Sequence, residues 1–64
     1  MNIITTTLND GTIVLAKNYK GKADPLRYAN YTQAATRVTD LLLAGIDARA
    51  KMPAGSRSIY IIIN

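Results

Sequence analysis

From Ile3 to Leu8 the chain is β-branched and apolar, it breaks at Asn9-Asp10-Gly11, and from Thr12 to Lys17 it resumes in extended style. Two such runs around an Asp-Gly turn predict a hairpin. If Asp10-Gly11 forms a two-residue turn, Leu8 lies opposite Ile13 and Thr6 opposite Leu15. Ile4, Leu8, Ile13 and Leu15 then share one face. A three-residue loop with a bulged Gly would instead pair Leu8 with Thr12 and mix the faces. The two-residue register is expected, because it gathers the large aliphatics on one side.

Residues 18–30 lack a clear period and carry turn chemistry in Gly21 and Asp24-Pro25, so they are expected to be a long connection. Helical spacing then takes over. Tyr31, Ala34, Ala35, Val38, Leu41 and Leu42 form one apolar stripe, leaving Gln33, Thr36, Arg37 and Asp40 toward water. Asn30 with Gln33, or Thr32 two positions further on, supplies the N-cap, so the helix should begin near residue 31. Gly45 suits the left-handed position beyond a helix end, and Ile46 can pack back on Leu41, so the helix should stop at Ala44.

Beyond Gly45 the period falls to two: Ile46, Ala48, Ala50 and Met52 alternate with Asp47, Arg49 and Lys51. That predicts a half-exposed strand. A helix continued to Lys51 is the alternative, and it would have to carry Gly45 in its interior at about 1 kcal/mol. Pro53-Ala54-Gly55-Ser56 forms the next loop, and Arg57 to Ile63 returns as the last strand, apolar in both alternation sets and therefore expected at the centre of a sheet. The predicted fold is α+β, ββαββ, a single domain over 1–64. Its four-stranded sheet, mixed or antiparallel, has order 2-1-4-3 with one helix packed on one face, and the first and last strands as its parallel central pair.

Composition narrows what such a domain can do. With no Cys and no His, disulfide and His-based or Cys-based metal stabilisation are closed to a chain this short, which leaves oligomerisation as the usual support. No Glu accompanies the scattered Asp residues, so no acid and base pair is placed for catalysis and no enzyme, cofactor or small-molecule substrate is expected. The N-terminal Met1-Asn2-Ile3-Ile4-Thr5 has no basic stretch before an apolar core, and no apolar run reaches about twenty residues, so a cytoplasmic protein without a membrane association is expected. A net charge of +4 keeps a small domain soluble and also favours anionic partners.

Two surfaces stand out. One helix covers one sheet face, so the other is left to Thr5, Thr7, Val14, Ala16 and half of the last strand. With Ile59, Ile61 and Ile63 assigned to the helix side, Tyr60 and Ile62 point outward, and Thr5, Thr7, Val14, Tyr60 and Ile62 become the candidate interface for a second copy, by face or by edge strand. The other surface is basic. Lys17, Tyr19, Lys20, Lys22 and Arg27 combine cations with an aromatic ring, the mixture that single-strand nucleic-acid binders use, and they would equally suit an acidic protein surface.

The run Tyr28-Ala29-Asn30-Tyr31-Thr32-Gln33-Ala34, with Leu42 to Ile46 and Ser56-Arg57-Ser58-Ile59-Tyr60, resembles segments of small phage and prophage α+β proteins. The resemblance implies a compact accessory protein that acts by binding, such as an inhibitor of a host protein, and assigns no functional residue.

Overall fold

The computed structural model describes residues 3–64 as one helix on an antiparallel five-stranded sheet. The elements run β1 (Ile4–Thr7), β2 (Ile13–Tyr19), β3 (Lys22–Pro25), α1 (Tyr31–Leu43), β4 (Ala48–Lys51) and β5 (Tyr60–Ile63). Met1 and Asn2, which open the segment read for a leader, lie outside the described residues. No described helix is long and apolar enough to cross a membrane.

The α+β class and the single helix are as expected, but the sheet is not the predicted ββαββ arrangement. Its order is β1-β2-β5-β4, with β3 also paired to β2. The central strand beside β5 is therefore β2 and not β1, and the pair is antiparallel through Val14 and Ile62. The reason lies in Val14-Leu15-Ala16, which is buried on both faces. That is the same doubly apolar signature as in the last strand, and a strand of this kind must have neighbours on both edges. β1, by contrast, has three threonines and leaves Ile4 42% exposed, so it takes the edge.

The β1–β2 register also differs from expectation by one residue. Thr5 faces Leu15, Thr6 faces Val14 and Thr7 faces Ile13. The loop is the three-residue form, Asn9 to Gly11. The Gly11 amide donates to the Leu8 carbonyl at 2.9 Å and the Leu8 amide to the Thr12 carbonyl at 2.8 Å, with Gly11 at φ 89°. The Asp10 carboxylate accepts from the Thr12 amide at 2.9 Å and fixes that geometry. Leu15 lies under the helix and Val14 on the opposite face in either register, so what the bulged loop changes is β1: it brings Ile4 and Thr6 to Val14's face. Leu8 then lines the same cleft as Val14, Pro53, Ala54 and Ile62.

Residues 18–25, expected to be an irregular connection, continue the sheet. β2 runs on to Tyr19, turns through Lys20 and Gly21, and returns as β3, with Lys17 opposite Asp24 and Tyr19 opposite Lys22. Both turn residues have positive φ, 51° and 82°, the twist that a two-residue hairpin loop requires. The Asn18 carboxamide accepts the Gly21 amide at 3.1 Å and holds the turn. Pro25 is tolerated because β3 is an edge strand. After Leu26, whose amide donates to the Leu15 carbonyl at 3.0 Å, the chain leaves β2, and Tyr28 pairs with Ile59. One side of β2 thus passes from β3 to β5 part-way along.

The helix behaves as its sequence dictates at both ends. Asn30 caps it, its side chain accepting the Gln33 amide at 2.9 Å. At the other end the Ile46 amide reaches the Leu41 carbonyl at 2.9 Å and the Gly45 amide reaches Leu42 at 3.0 Å, the paired bonds of a Schellman end. The buried stripe is narrower than expected. Ala34 and Leu41 are buried and Val38 half-buried, whereas Tyr31, Ala35 and Leu42 are exposed and Arg37, expected in water, is half-buried. Leu15, Leu41, Ala48 and Ile61 form the centre of the core, flanked by Ile3, Leu26, Tyr28, Val38, Ile46 and Ile63. Residues 48–51 are strand and not continued helix, with Ala48 buried and Arg49 and Lys51 exposed.

Candidate functional site

The helix-free face follows from the register. Cross-strand partners share a face, so Val14 lies with Thr6, Ile62 and Arg49, Ala16 with Ile4, and Tyr60 with Lys51. Tyr60 and Ile62 do turn away from the helix, while Ile61 and Ile63 pack beneath it. Thr5 and Thr7 do not join them. The one-residue shift carries both threonines to the helix side with Leu15 and Ile13, and puts Ile4 and Thr6 on the open face in their place.

This face is less bare than one helix on one sheet implies. Val14 is 0% exposed, and Tyr60 and Ile62 are half-buried. Cover comes from the chain itself. The β4–β5 loop turns at Pro53, where the Ser56 amide donates to the Pro53 carbonyl at 3.0 Å, and the β1–β2 turn rises beside it. Between them is a cleft of about 100 Å³ lined by Leu8, Thr12, Val14, Ile62, Tyr60, Pro53 and Ala54, with Asp10 and Lys51 also on its wall. That volume is far below the roughly 300–1,000 Å³ of small-molecule sites and suits one side chain. Leu8, Thr12, Pro53 and Ala54 are the residues that sequence reasoning missed. The bulged-Gly register would have placed Leu8 and Thr12 here.

Electrostatically the cleft holds one fixed anion. Hydrogen bonding from the Thr12 side chain, and next from its backbone, holds the Asp10 carboxyl below its ordinary value, with a smaller contribution in the same direction from Lys51. Of the other carboxylates, Asp24 faces Arg27 at 3.6 Å and Asp47 accepts from the Asn64 carboxamide at 3.2 Å. The acids are dispersed, each among its own neighbours.

The basic candidates occupy a ribbon and not a loop. Lys17, Tyr19 and Lys22 share one face of the β2–β3 hairpin, and Lys20 is in its turn with Nζ 5.5 Å from the centre of the Tyr19 ring. Arg27 stands apart from them. It is paired with Asp24, and its guanidinium also donates to the Pro25 carbonyl at 3.2 Å. Every residue from 17 to 23 is exposed, although each belongs to a strand or its turn.

Comparison with known protein families, curated proteins and solved structures found no match.

Proposed function

We propose that this protein is a small non-enzymatic binding module that acts as a homodimer, two copies joining through the outer edges of their β1 strands. The observation that carries the reading is a difference between edges. β4 bears Arg49 and Lys51, and β3 bears Lys22 and Pro25, the residues that keep a strand edge from pairing with another chain. β1, Ile-Thr-Thr-Thr, has neither a charge nor a proline. Its outer edge is unpaired among the described residues and flanked by Ile4 and Ile13, which are 42% and 47% exposed.

Symmetry supports a second copy as the occupant. Antiparallel pairing of β1 with itself closes a two-fold dimer, whereas β4 against β4 would set like charges together, and β1 against β4 would propagate into an open chain. The partly self-covered face argues against dimerisation by that face, because Val14, Tyr60 and Ile62 already have partners within the chain.

Size-exclusion chromatography with light scattering at micromolar concentration tests this. The expected mass is twice the chain's 7.0 kDa, falling to the single-chain value in Ile4→Lys and Thr6→Lys and unchanged in Tyr60→Lys. A monomer in the unmodified protein, or a dimer lost only in Tyr60→Lys, overturns the edge reading.

A further inference from the structure

We infer that the β2–β3 hairpin is a nucleic-acid-binding arm, a basic two-stranded ribbon that lies along the phosphate backbone of a duplex through Lys17, Lys20 and Lys22. This site is separate from the β1 edge and does not depend on the dimer.

Three observations converge on it. The first is charge. Residues 17–27 hold four of the eight basic residues and one of the four acidic ones, so this stretch carries +3 of the chain's net +4. The only carboxylate there, Asp24, is paired with Arg27 and stands opposite Lys17, so the stretch keeps three positive charges that it does not itself balance.

The second is burial. A strand in a small domain normally buries at least one face, yet residues 17–23 are exposed throughout, on both faces of the ribbon and at the turn. The core is built from Leu15, Ile3 and residues from Leu26 onward, and no side chain from 17 to 23 takes part in it. Packing therefore gives no reason for a seven-residue β2 with a three-lysine extension. A two-stranded ribbon by itself is of marginal stability in water, and this one is held by its turn geometry and by the part of β2 inside the sheet.

The third is shape. A duplex major groove about 12 Å wide admits a two-stranded β-ribbon. Lys17 and Lys22 project from one face of such a ribbon while Lys20 leads at the tip, a layout that reaches phosphates rather than base edges. Tyr19 is 56% exposed, but Lys20 sits 5.5 Å from its ring centre, so the ring is already engaged and is a poor stacking platform for unpaired bases. That favours a duplex over a single strand. With no side chain placed for bidentate base contact, binding is independent of sequence.

Fluorescence anisotropy with a labelled 20-base-pair DNA duplex decides the matter. Three phosphate contacts give a slope of log affinity against log salt of about −2.7, so affinity should fall about 40-fold between 50 and 200 mM salt. Lys17→Gln with Lys22→Gln and Lys20→Asn, the last chosen because Asn tolerates the positive φ of the turn, should abolish binding with an unchanged circular dichroism spectrum. A control, Arg49→Gln with Lys51→Gln on the opposite edge, removes two charges and should leave at least half of the affinity. No binding at 50 mM salt, an equal loss in the control, or tighter binding of a single strand of the same length would each overturn the inference.

Discussion

Replacing Gly45 with L-alanine, and separately with D-alanine by chemical synthesis, isolates a purely conformational contribution to stability. Gly45 has φ 83°, and a Cβ built on it would meet nothing within 4 Å. No clash and no lost contact enters, so the substitution reports backbone preference alone. An L-residue in the left-handed region costs about 1–2 kcal/mol. Against that, either alanine restricts the unfolded chain and returns about 0.4–1 kcal/mol. The L-variant should therefore lose up to about 1.6 kcal/mol, while the D-variant, for which this φ is favoured, should gain about 0.4–1 kcal/mol, so the two differ by about 1–2 kcal/mol. With a urea slope near 1 kcal/mol/M for so small a domain, the two midpoints should lie about 1–2 M apart on either side of the parent. Urea unfolding followed by circular dichroism measures this directly. If the L- and D-variants unfold within about 0.3 M of each other, the helix does not end through Gly45 and the Schellman bonds from Gly45 and Ile46 are not what fixes the turn into β4.

Leu41 is fully buried at the centre of the core, so Leu41→Ala should remove about 2–5 kcal/mol. At about 0.05–0.15 kcal/mol per residue the whole chain has about 3–10 kcal/mol, so the loss is a large share of the total and a strongly lowered thermal midpoint, or no cooperative melt, is the expected result. Leu43 is 84% exposed, and Leu43→Ala should shift stability by less than about 0.5 kcal/mol in the same assay. Asn30→Ala should cost about 1 kcal/mol, since it leaves the Gln33 amide without its capping acceptor, and Asn30→Asp should recover most of the loss. Asp10 is depressed when folded, so its contribution is present above the unfolded carboxyl value and is lost as pH falls through the lower folded value; its carboxyl resonance should titrate below 3.8, and Thr12→Val should raise that midpoint.

The elements that could be read from the sequence are those whose signals are local. Asn30 and Gly45 announce the helix ends through side-chain and backbone chemistry that acts within a turn, and both were found where expected. The change of period past Gly45 likewise identifies β4. What escaped reading was non-local. Asn9-Asp10-Gly11 supports two loop lengths about equally well, and the one adopted sets Leu8 in the cleft with Val14, Pro53, Ala54 and Ile62, far along the chain. One residue of register then moved Thr5 and Thr7 to the other face and broke up the candidate interface. β3 was hidden for a different reason. Its turn places Lys20 at positive φ, where Asn or Gly would be the recognisable signal, and Pro25 resembles a breaker until the strand is known to be an edge. The basic cluster itself was visible as composition, but its form as a ribbon was not.

The seven residues of β2 divide into an inner part that the rest of the molecule depends on and an outer part that nothing else in the fold requires. Val14, Leu15 and Ala16 are buried, Leu15 at the centre of the core, whereas residues 17–23 are exposed and take no part in it. Substitutions at the two ends should therefore combine additively. Apart from Asn18 and the turn pair Lys20-Gly21, the arm can change its residues freely without spending stability, so a new specificity can evolve, or be engineered, on a strand whose other end stays fixed.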